Sequence, residues 1–495
     1  MTSSILQELR TDKGYQDVPL SVLEEIYPRE LVCDVLQQTQ SWEQRERRLP
    51  HLFLLYLLIA WTISPLQALK QTCAQIMSLP RWLGPQTPQP VPSSAALSKR
   101  RRHLGIAPLR LLMRLACQPL TQPETPGAFL FGRRLVAIDS KLFDVVDTPE
   151  NDWVFRGRTR DGQPRCETPF PQVRLVSALE IGSHAHLGAV VAPGYRSEMS
   201  LVEGLLSFLS AQSLILQDSG FRGAWWIQRL LQQGHHSISR LQSNEHSCKG
   251  PRLHDGSYLV TVQRSAGKRL PQPLTLRIIE YRLQPEMAQA LAQVQKSRLT
   301  PSQRPRLSAD HVYRLATTLL DPVEAPAAQV AACYHERWEL ELVYDELQEH
   351  QQYAPRLLSK TSDHVIQELW ALVLGHYAVR AWMMRSASQF PACDVDRLSF
   401  THAICLLGTA LTLSAALAQT PTSRWVPRLE QDLRQTDSLL PARRLRCYPR
   451  VVKASPTRFF VKGETDLPFV LTDRSLNWQD LIVPLHTSPP LCLSS

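Results

Sequence analysis

No two of the ten cysteines in this 495-residue sequence stand in a Cys-x-x-Cys pair, and no cysteine–histidine spacing matches a zinc site. The absence of such pairs argues against small zinc-bound folds and thioredoxin-like redox motifs. The first ten residues also lack the basic start and apolar stretch of a secretory signal peptide. Scattered thiols without a signal peptide predict a protein of a reducing cytosol.

The sequence also lacks an apolar stretch long enough to cross a membrane. Its most apolar uncharged run, 52–63, has twelve residues, whereas a spanning helix needs about 20. We interpret this run as a buried core helix, and the Ala- and Thr-rich run 404–418 in the same way. A basic protein that associates with a membrane surface through 52–63 is the alternative.

Basic residues are in excess over acidic ones. Lys and Arg number 55 against 45 Asp and Glu, which gives a formal net charge of +10. A surplus of this size favours a polyanionic partner, either nucleic acid or an anionic membrane surface. Hydrophobic residues make up 43% of the chain, which is typical of a folded protein and not of a disordered one.

Changes in pattern divide the chain into five segments. Apolar residues recur at helical spacing near the N-terminus, whereas the centre alternates β-branched runs with helical patterns, as in an α/β sheet. The fourth segment restores the α/β pattern after a stretch with 12 basic and 5 acidic residues. The predicted segments are a helical N-terminal DNA-binding domain (1–125), the first part of an α/β core (126–235), a β-rich basic insertion (236–310), the second part of the core (311–425) and a C-terminal tail region (426–495).

A basic stretch lies near the end of the N-terminal segment. Six basic residues and no acidic one occur between positions 99 and 114. A basic helix can lie along DNA phosphates, although a solvated charged face without a ligand is the usual alternative. The residues that we predict to contact DNA here are Lys99, Arg100, Arg101 and Arg102.

Two apolar runs of the centre each end in an acid. Leu135–Asp139 and Ser213–Asp218 are both strand-like, and the second is followed by Ser219 and a glycine. A long helix is predicted from about residue 325 to 350. It places Tyr334, Arg337, Glu341 and Gln348 along one stripe, since their spacings are 3, 4 and 7 residues. A solvated face with an ion pair between Arg337 and Glu341 is the alternative reading.

Three acids on such elements have a possible chemical use. Transfer of a phosphodiester needs the phosphate charge neutralised and a nucleophile made near neutral pH, and two divalent ions provide both. Mg²⁺ needs only one or two protein carboxylates beside water and substrate oxygens. Asp139, Asp218 and Glu341 could supply them, but with 45 acids in the chain spacing alone is weak evidence.

Several stretches resemble one family of bacterial enzymes. The strongest is the run from Tyr334 to Leu347, YHERWELELVYDEL, in which Tyr334, Arg337 and Glu341 stand at the positions of a Tyr-Arg-Glu-Lys signature. Three shorter stretches also match: Asp139-Ser140 followed by DTPEN at 147–151, PFPQVR at 169–174, and LQDSGF at 216–221. The sequence thus resembles the DDE transposases of the insertion-sequence-four family over roughly residues 30 to 460.

The resemblance implies a ribonuclease-H-like mixed sheet with helices, interrupted by the β-rich insertion and preceded by the helical domain. Asp139, Asp218 and Glu341 would be the catalytic, metal-binding triad for two Mg²⁺ ions, with Mn²⁺ able to substitute. Tyr334 and Arg337 would hold phosphate at the transposon end. Trp338 would stack on a displaced base, for which ordinary packing is the alternative.

The implied reaction is cut-and-paste transposition of double-stranded DNA. One strand is hydrolysed at the terminal inverted repeat, the freed 3′-hydroxyl attacks the opposite strand, and after the resulting hairpin is opened it attacks target DNA. Bringing two ends together implies a homodimer on DNA, in a nucleoid-associated protein with no membrane partner.

The sequence departs from the family pattern at two positions. Gln348 stands where the signature has Lys, so one DNA contact would lose its charge. Ser219 follows the second acid, where Arg is usual. These changes motivate a second hypothesis, a catalytically impaired transposase remnant that only binds DNA. The insertion also contains no Trp, so no base-stacking Trp is assigned there.

Overall fold

The protein is described here from a computed structural model. The described residues are 20–43, 49–64, 68–83, 91–210, 212–241, 251–265, 268–282, 312–352, 354–390, 393–417, 422–435 and 438–440. Most of the predicted tail region, 441–495, lies outside them.

A mixed sheet forms the centre of the molecule. Its strands are β1 (Phe129–Leu130), β2 (Arg133–Asp144), β3 (Gln172–Glu180), β4 (His186–Pro193), β5 (Ser213–Gln217), β6 (His236–Arg240), β7 (Tyr258–Ser265), β8 (Lys268–Tyr281) and β9 (Tyr313–Thr317). The order across the sheet is β4-β3-β2-β5-β6-β9-β8-β7, and β1 pairs with β2. Strands β2, β5 and β6 are parallel, and β3 and β4 return antiparallel beside them.

The central strands are buried on both faces, which explains their continuous apolar runs. On β5, Leu214 and Leu216 face the larger apolar core, whereas Ile215 between them faces a second core on the other side of the sheet. This alternation follows from the two-residue repeat of a strand. The predicted α/β class is confirmed.

The β-rich stretch extends the central sheet. Strand β9 pairs antiparallel with β6, and β8 and β7 continue outward from it. The predicted boundary at 236 falls at the first residue of β6, which pairs with β5 and so belongs to the core. Residues 283–311 of this stretch lie outside the described residues.

Helices surround the sheet. They are α1 (Ser21–Glu24), α2 (Arg29–Gln38), α3 (His51–Ile63), α4 (Leu69–Leu83), α5 (Ser94–Leu104), α6 (Ala107–Ala116), α7 (Pro149–Asn151), α8 (Ala224–Gln232), α9 (Ala327–His335), α10 (Glu339–Asp345), α11 (Ser362–Ser388), α12 (Phe400–Leu417) and α13 (Thr422–Leu433). The helices of the first segment pack on α11 and α12, near the other end of the chain. They share one apolar core with the central sheet.

The two apolar runs are core helices. Run 52–63 lies within α3, in which every residue but Trp61 is buried. Run 404–418 coincides with most of α12, although Ala418 lies outside the described residues. No described helix is long and apolar enough to span a membrane.

The segment after β2 is fastened to the start of α11. Asn151 is fully buried, and its amide donates to the carbonyl oxygens of Val146 and Ser359 at 2.9 and 3.0 Å. The Glu150 carboxylate accepts from the backbone nitrogen of Ser362, the first residue of α11, at 2.9 Å. The DTPEN stretch therefore has a structural role, since Glu150 accepts a hydrogen bond from a backbone N–H at the N-terminus of α11.

Candidate active site

Strand register places the two aspartates side by side. Ile138 of β2 pairs with Gln217 of the parallel strand β5. Asp139 and Asp218 each follow directly after these paired residues, so they are neighbours across the two strands. Strand neighbours are about 4.8 Å apart, and residues at equal offsets point to the same face. The two acids therefore lie side by side where β5 ends. Asp139 is not at the end of its own strand, as the apolar run had suggested, because β2 continues beside β3 to Asp144.

The segment that carries Glu341 is not the uniform α-helix that we predicted. Helix α9 ends at His335, a 3-10 turn spans Glu336–Trp338, and α10 follows. A π-helical turn, Glu346–Gln351, completes the segment. A sequence pattern with period 3.6 does not distinguish these tighter and wider turns from an α-helix.

Arg337 lies between the carboxylates. Its guanidinium is 3.4 Å from Asp139 Oδ2 and 3.7 Å from Glu341 Oε1, and the residue is only 6% exposed. The ion pair with Glu341 is therefore present, but on a buried arginine that faces the sheet. This contact joins the signature segment to Asp139 of the central sheet.

Burial and charge perturb Asp139. The pKa of its carboxyl is raised to about 6. Loss of water on burial is the largest cause, and Asp218 and Glu198 also raise it because like charges disfavour ionisation, whereas Arg337 and the backbone nitrogen of Ser140 lower it. A perturbed carboxyl beside other acids is typical of functional sites.

Glu198 is a fourth carboxylate that the sequence analysis did not identify. It follows β4 after a short turn and accepts from an Arg174 guanidinium nitrogen at 2.7 Å. Its Oε2 and the Oδ1 of Asp218 both lie 3.0 Å from the point that a Cβ on Gly220 would occupy. The two acids therefore face the same small space. Glu198 lies 20 residues before Asp218 and outside the matched stretches, so the sequence carried no signal for it.

The remaining signature residues lie around the site. Tyr334 is 6% exposed, and burial raises the pKa of its hydroxyl despite the nearby Arg337. Gln348 donates to the backbone oxygen of Leu142 on β2 at 3.4 Å. Tyr344, which we did not predict, donates to the backbone oxygen of Asp139 at 3.0 Å. The side chain of Trp338 lies outside the described residues, so its stacking stays a prediction.

The basic residues of α5 lie apart from this site and divide into two groups. Lys99 and Arg102 are exposed. Arg100 forms an ion pair with Glu43 and donates to the backbone oxygen of Leu49. Arg101 is 7% exposed and donates to Gln367, Ser359 and the backbone oxygen of His364. The predicted DNA contact of Arg101 does not agree with this placement, because its donors serve the packing of α5 on α11.

The acids fit a hard divalent cation by their chemistry, since carboxylate oxygens are the ligands that Mg²⁺ prefers. Within the described residues, no three His, Cys, Asp or Glu side chains converge closely enough to hold an ion. Asp139 and Asp218 are neighbours on adjacent strands. The Arg337 guanidinium lies between Glu341 and Asp139. The Glu341 side chain is 40% exposed, so a different rotamer is open to it.

A buried charged cluster supports the signature segment from behind. Glu346, in the π-helical turn, forms an ion pair with Arg380 of α11 and a hydrogen bond with His376 Nε2 at 2.9 Å. His184 lies in the turn between β3 and β4. Its Nε2 is 2.8 Å from a Glu339 carboxylate oxygen, and its Nδ1 is 2.7 Å from an Arg380 guanidinium nitrogen. Buried charges need such partners, since an unpaired one is costly. The cluster thereby fixes the segment that carries Glu341 against the sheet and α11.

Two histidines of this region should make the fold sensitive to acid. Burial holds the pKa of His186 and of His376 well below the ordinary value. The adjacent His376 lowers the pKa of His186 further, although Glu346 acts in the opposite direction. Burial is also the largest cause of the lowered pKa of His376. A depressed histidine pKa means that the unfolded chain binds the proton more tightly, so this stability is present above about pH 6.5 and is lost as pH falls.

We therefore expect the free energy of unfolding, measured with urea between pH 7 and 5, to decrease with falling pH. His186→Leu should flatten that slope by up to about 1.4 kcal/mol per pH unit. Neither ring nitrogen of His186 has a hydrogen-bond partner within the described part of the chain, so the substitution leaves no partner unpaired. The matched control is His103→Leu on the surface, and equal slopes for both variants would contradict the assignment.

The chain matches two family descriptions in separate parts. Residues 17–114 match the family described as Insertion element 4 transposase N-terminal. Residues 130–377, which contain all three predicted acids, match the Transposase DDE domain. This chain belongs to the insertion element 4 family of DDE transposases.

A transposase sequence and a solved structure are similar to this chain. The chain is 28% identical over 447 residues to the transposase InsG of insertion sequence element IS4 from Escherichia coli strain K12, covering 89% of this chain and 93% of that protein. Among solved structures it is similar to a piggyBac transposase in a synaptic complex with hairpin DNA, with 12% identity and a TM-score of 0.41. That match covers 88% and 87% of the two chains. As a DDE transposase, the chain is an enzyme of DNA transposition.

Proposed function

We propose that this transposase cuts and rejoins double-stranded DNA at the ends of its own element in a cut-and-paste reaction. The observation that carries the proposal is the buried Arg337, whose guanidinium lies 3.4 Å from Asp139 and 3.7 Å from Glu341, with Asp218 beside Asp139. Two divalent ions, Mg²⁺ or Mn²⁺, held by these acids would supply charge neutralisation and a nucleophile near neutral pH. The strand order and directions of β4-β3-β2-β5-β6 support a ribonuclease-H-like core.

The protein residues have separate tasks in this proposal. Asp139 and Asp218 provide oxygen ligands on the rigid central sheet, and Glu341 approaches them from the signature segment. Arg337 is suited to a phosphate, because a guanidinium grips two phosphate oxygens at once. Tyr334 lies beside it, whereas Gln348 contributes hydrogen bonding without charge. The partners would be terminal inverted repeats and target DNA, bound by a homodimer in the bacterial cytoplasm at the nucleoid.

The test is cleavage of a DNA fragment that carries the element's own ends, with Mg²⁺ or Mn²⁺ and with chelator. We expect cuts at the end boundary, and we expect Glu341→Gln to abolish them while binding to the ends persists. Glu349→Gln is the matched control, since Glu349 is an exposed acid on the same segment and should leave cleavage unchanged.

The second candidate is a remnant that binds DNA without cutting it. Gln348 favours it, because its amide is engaged with a backbone oxygen of β2 and brings no positive charge to the site. End binding by the wild-type protein without cleavage in either metal would establish this candidate and exclude the first.

A further inference from the structure

An exposed tryptophan stands at the end of the DTPEN stretch. Trp153 is 66% exposed, the largest value of any aromatic side chain within the described ranges. It lies in a π-helical turn, Asp152–Arg156. The turn is anchored on its inner side by Phe155, which is 1% exposed, and by an ion pair between Arg156 and Asp152 at 2.8 Å. A large ring is thus presented to solvent from an anchored turn.

Trp153 continues into a row of alternating rings and guanidinium groups. The Arg158 guanidinium lies 5.7 Å from the centre of the Trp153 ring. Arg165 donates to the backbone oxygen of Arg158 at 2.8 Å and lies 5.6 Å over the Tyr195 ring. We call the row Trp153, Arg158, Arg165 and Tyr195 the Trp153 ridge.

The ridge is closely packed at its centre. Gly157 has a φ of +63°, and a Cβ there would come within 2.7 Å of the Tyr195 ring. Only glycine combines this backbone conformation with so close an approach. The loop that carries the arginines is therefore held against Tyr195.

The ridge adjoins the active site. Tyr195 is three residues before Glu198, which shares a small space with Asp218, and three residues span at most about 10 Å. Arg174 ties the two regions together, because its guanidinium donates both to the backbone oxygen of Gly194 at 3.3 Å and to Glu198. DNA that enters the active site would pass within reach of the ridge.

The exposed charges around the ridge favour a nucleic acid over a protein as its partner. Arg160, Arg165 and Arg196 are exposed, against the exposed acids Asp161 and Glu167. Arginine combines a phosphate grip with stacking on flat rings, and exposed aromatics stack on bases. A protein-binding patch would instead surround the tryptophan with other apolar side chains.

We propose that the Trp153 ridge binds DNA beside the catalytic acids, independently of base sequence, with its arginines on phosphates and Trp153 against a base or sugar. The proposal rests on the proposed function, because it takes the bound partner to be the DNA that is cut. It assigns to the segment between β2 and β3 a second contact, apart from the signature residues.

The test measures binding of the full-length protein to a duplex with the element's end and to a scrambled duplex, at several salt concentrations. Trp153→Ala should weaken binding to both by about five-fold or more, as loss of a stacked base does. Arg165→Gln should lower the salt dependence, the slope of log K against log salt, by about one. Phe390→Ala is the control, since Phe390 is 50% exposed and lies 3.9 Å under Arg434 but should leave binding unchanged.

Unchanged affinity and unchanged salt slope in the folded Trp153 and Arg165 variants would overturn the proposal. So would weakened self-association, measured by sedimentation without DNA, since the ridge would then contact a second copy. The two proposals fail separately. If the wild-type protein cuts no DNA but Trp153→Ala weakens its DNA binding, the proposed reaction is wrong and the proposed role of the ridge stands. If the wild-type protein cuts DNA and Trp153→Ala changes neither cleavage nor binding, only the proposed role of the ridge is wrong.

Discussion

Replacing Asp139 or Asp218 with asparagine is expected to reduce metal-dependent cleavage of element ends by roughly a thousand-fold or more. Asparagine keeps the shape but removes the charge that a divalent ion requires. Bound metal supplies several kcal/mol of transition-state stabilisation, and each 1.4 kcal/mol corresponds to about ten-fold in rate. Single-turnover cleavage of an end-containing duplex measures the effect, and end binding measured in parallel should change little.

The matched control is Asp144→Asn. Asp144 is the last residue of β2, five residues beyond Asp139, and accepts from the Gln172 side chain at 2.8 Å. The last residue of β2 that pairs with β5 is Ile138. Asp144 lies six residues beyond it, about 20 Å along the strand, so it is away from Asp218 and should be dispensable for cleavage. If Asp144→Asn were as inactive as Asp139→Asn, the register argument for the site would be wrong.

Glu346→Gln is expected to destabilise the protein by about 3–5 kcal/mol, as removal of one partner of a buried ion pair does. Glu346 is 8% exposed and Arg380 is 3% exposed, so the substitution leaves a buried guanidinium without its charged partner. Arg380 and His184 hold the pKa of the Glu346 carboxyl below its usual range, in the direction expected for a satisfied carboxylate. Unfolding by urea at pH 7 gives the measurement.

Two further variants separate this effect from a general cost of substitution. Glu203→Gln removes an exposed pair with Arg229, whose side chains are 50% and 56% exposed, and should cost no more than about 1 kcal/mol. Glu346→Gln combined with Arg380→Met should recover part of the lost stability, because the unpaired charge is gone. A loss as small for Glu346→Gln as for Glu203→Gln would show that the cluster contributes little to the fold.

The helical segment before residue 350 was predicted only in part from the sequence. The apolar spacing predicted one helix, with Arg337 and Glu341 along one stripe of it. The structure keeps both residues on one side, but through a 3-10 turn and a π-helical turn. The π-helical turn contains Glu346, whose partners Arg380 and His376 lie on α11. We infer that these long-range contacts favour the wider turn, and no local period records them.

The basic stretch at 99–102 shows a different limit. Its composition is that of a DNA-binding helix face, and Lys99 and Arg102 remain available for that role. Arg101 is instead buried between α5 and α11, with its cation also 5.7 Å from the centre of the Trp61 ring. Whether an arginine faces solvent or a helix interface depends on the partner helix, which here begins 261 residues later.

The sequence by itself predicted the family and the α/β class, which are confirmed, because these depend on local motifs and on apolar runs. It also named the three acids, whose catalytic role stays a prediction. Only the tertiary structure decided which residues surround those acids. Glu198, Tyr344 and the Glu346 cluster reach the site by strand pairing and helix packing between distant segments. Such contacts are selected by burial and charge pairing in three dimensions, and spacing along a single chain does not record them.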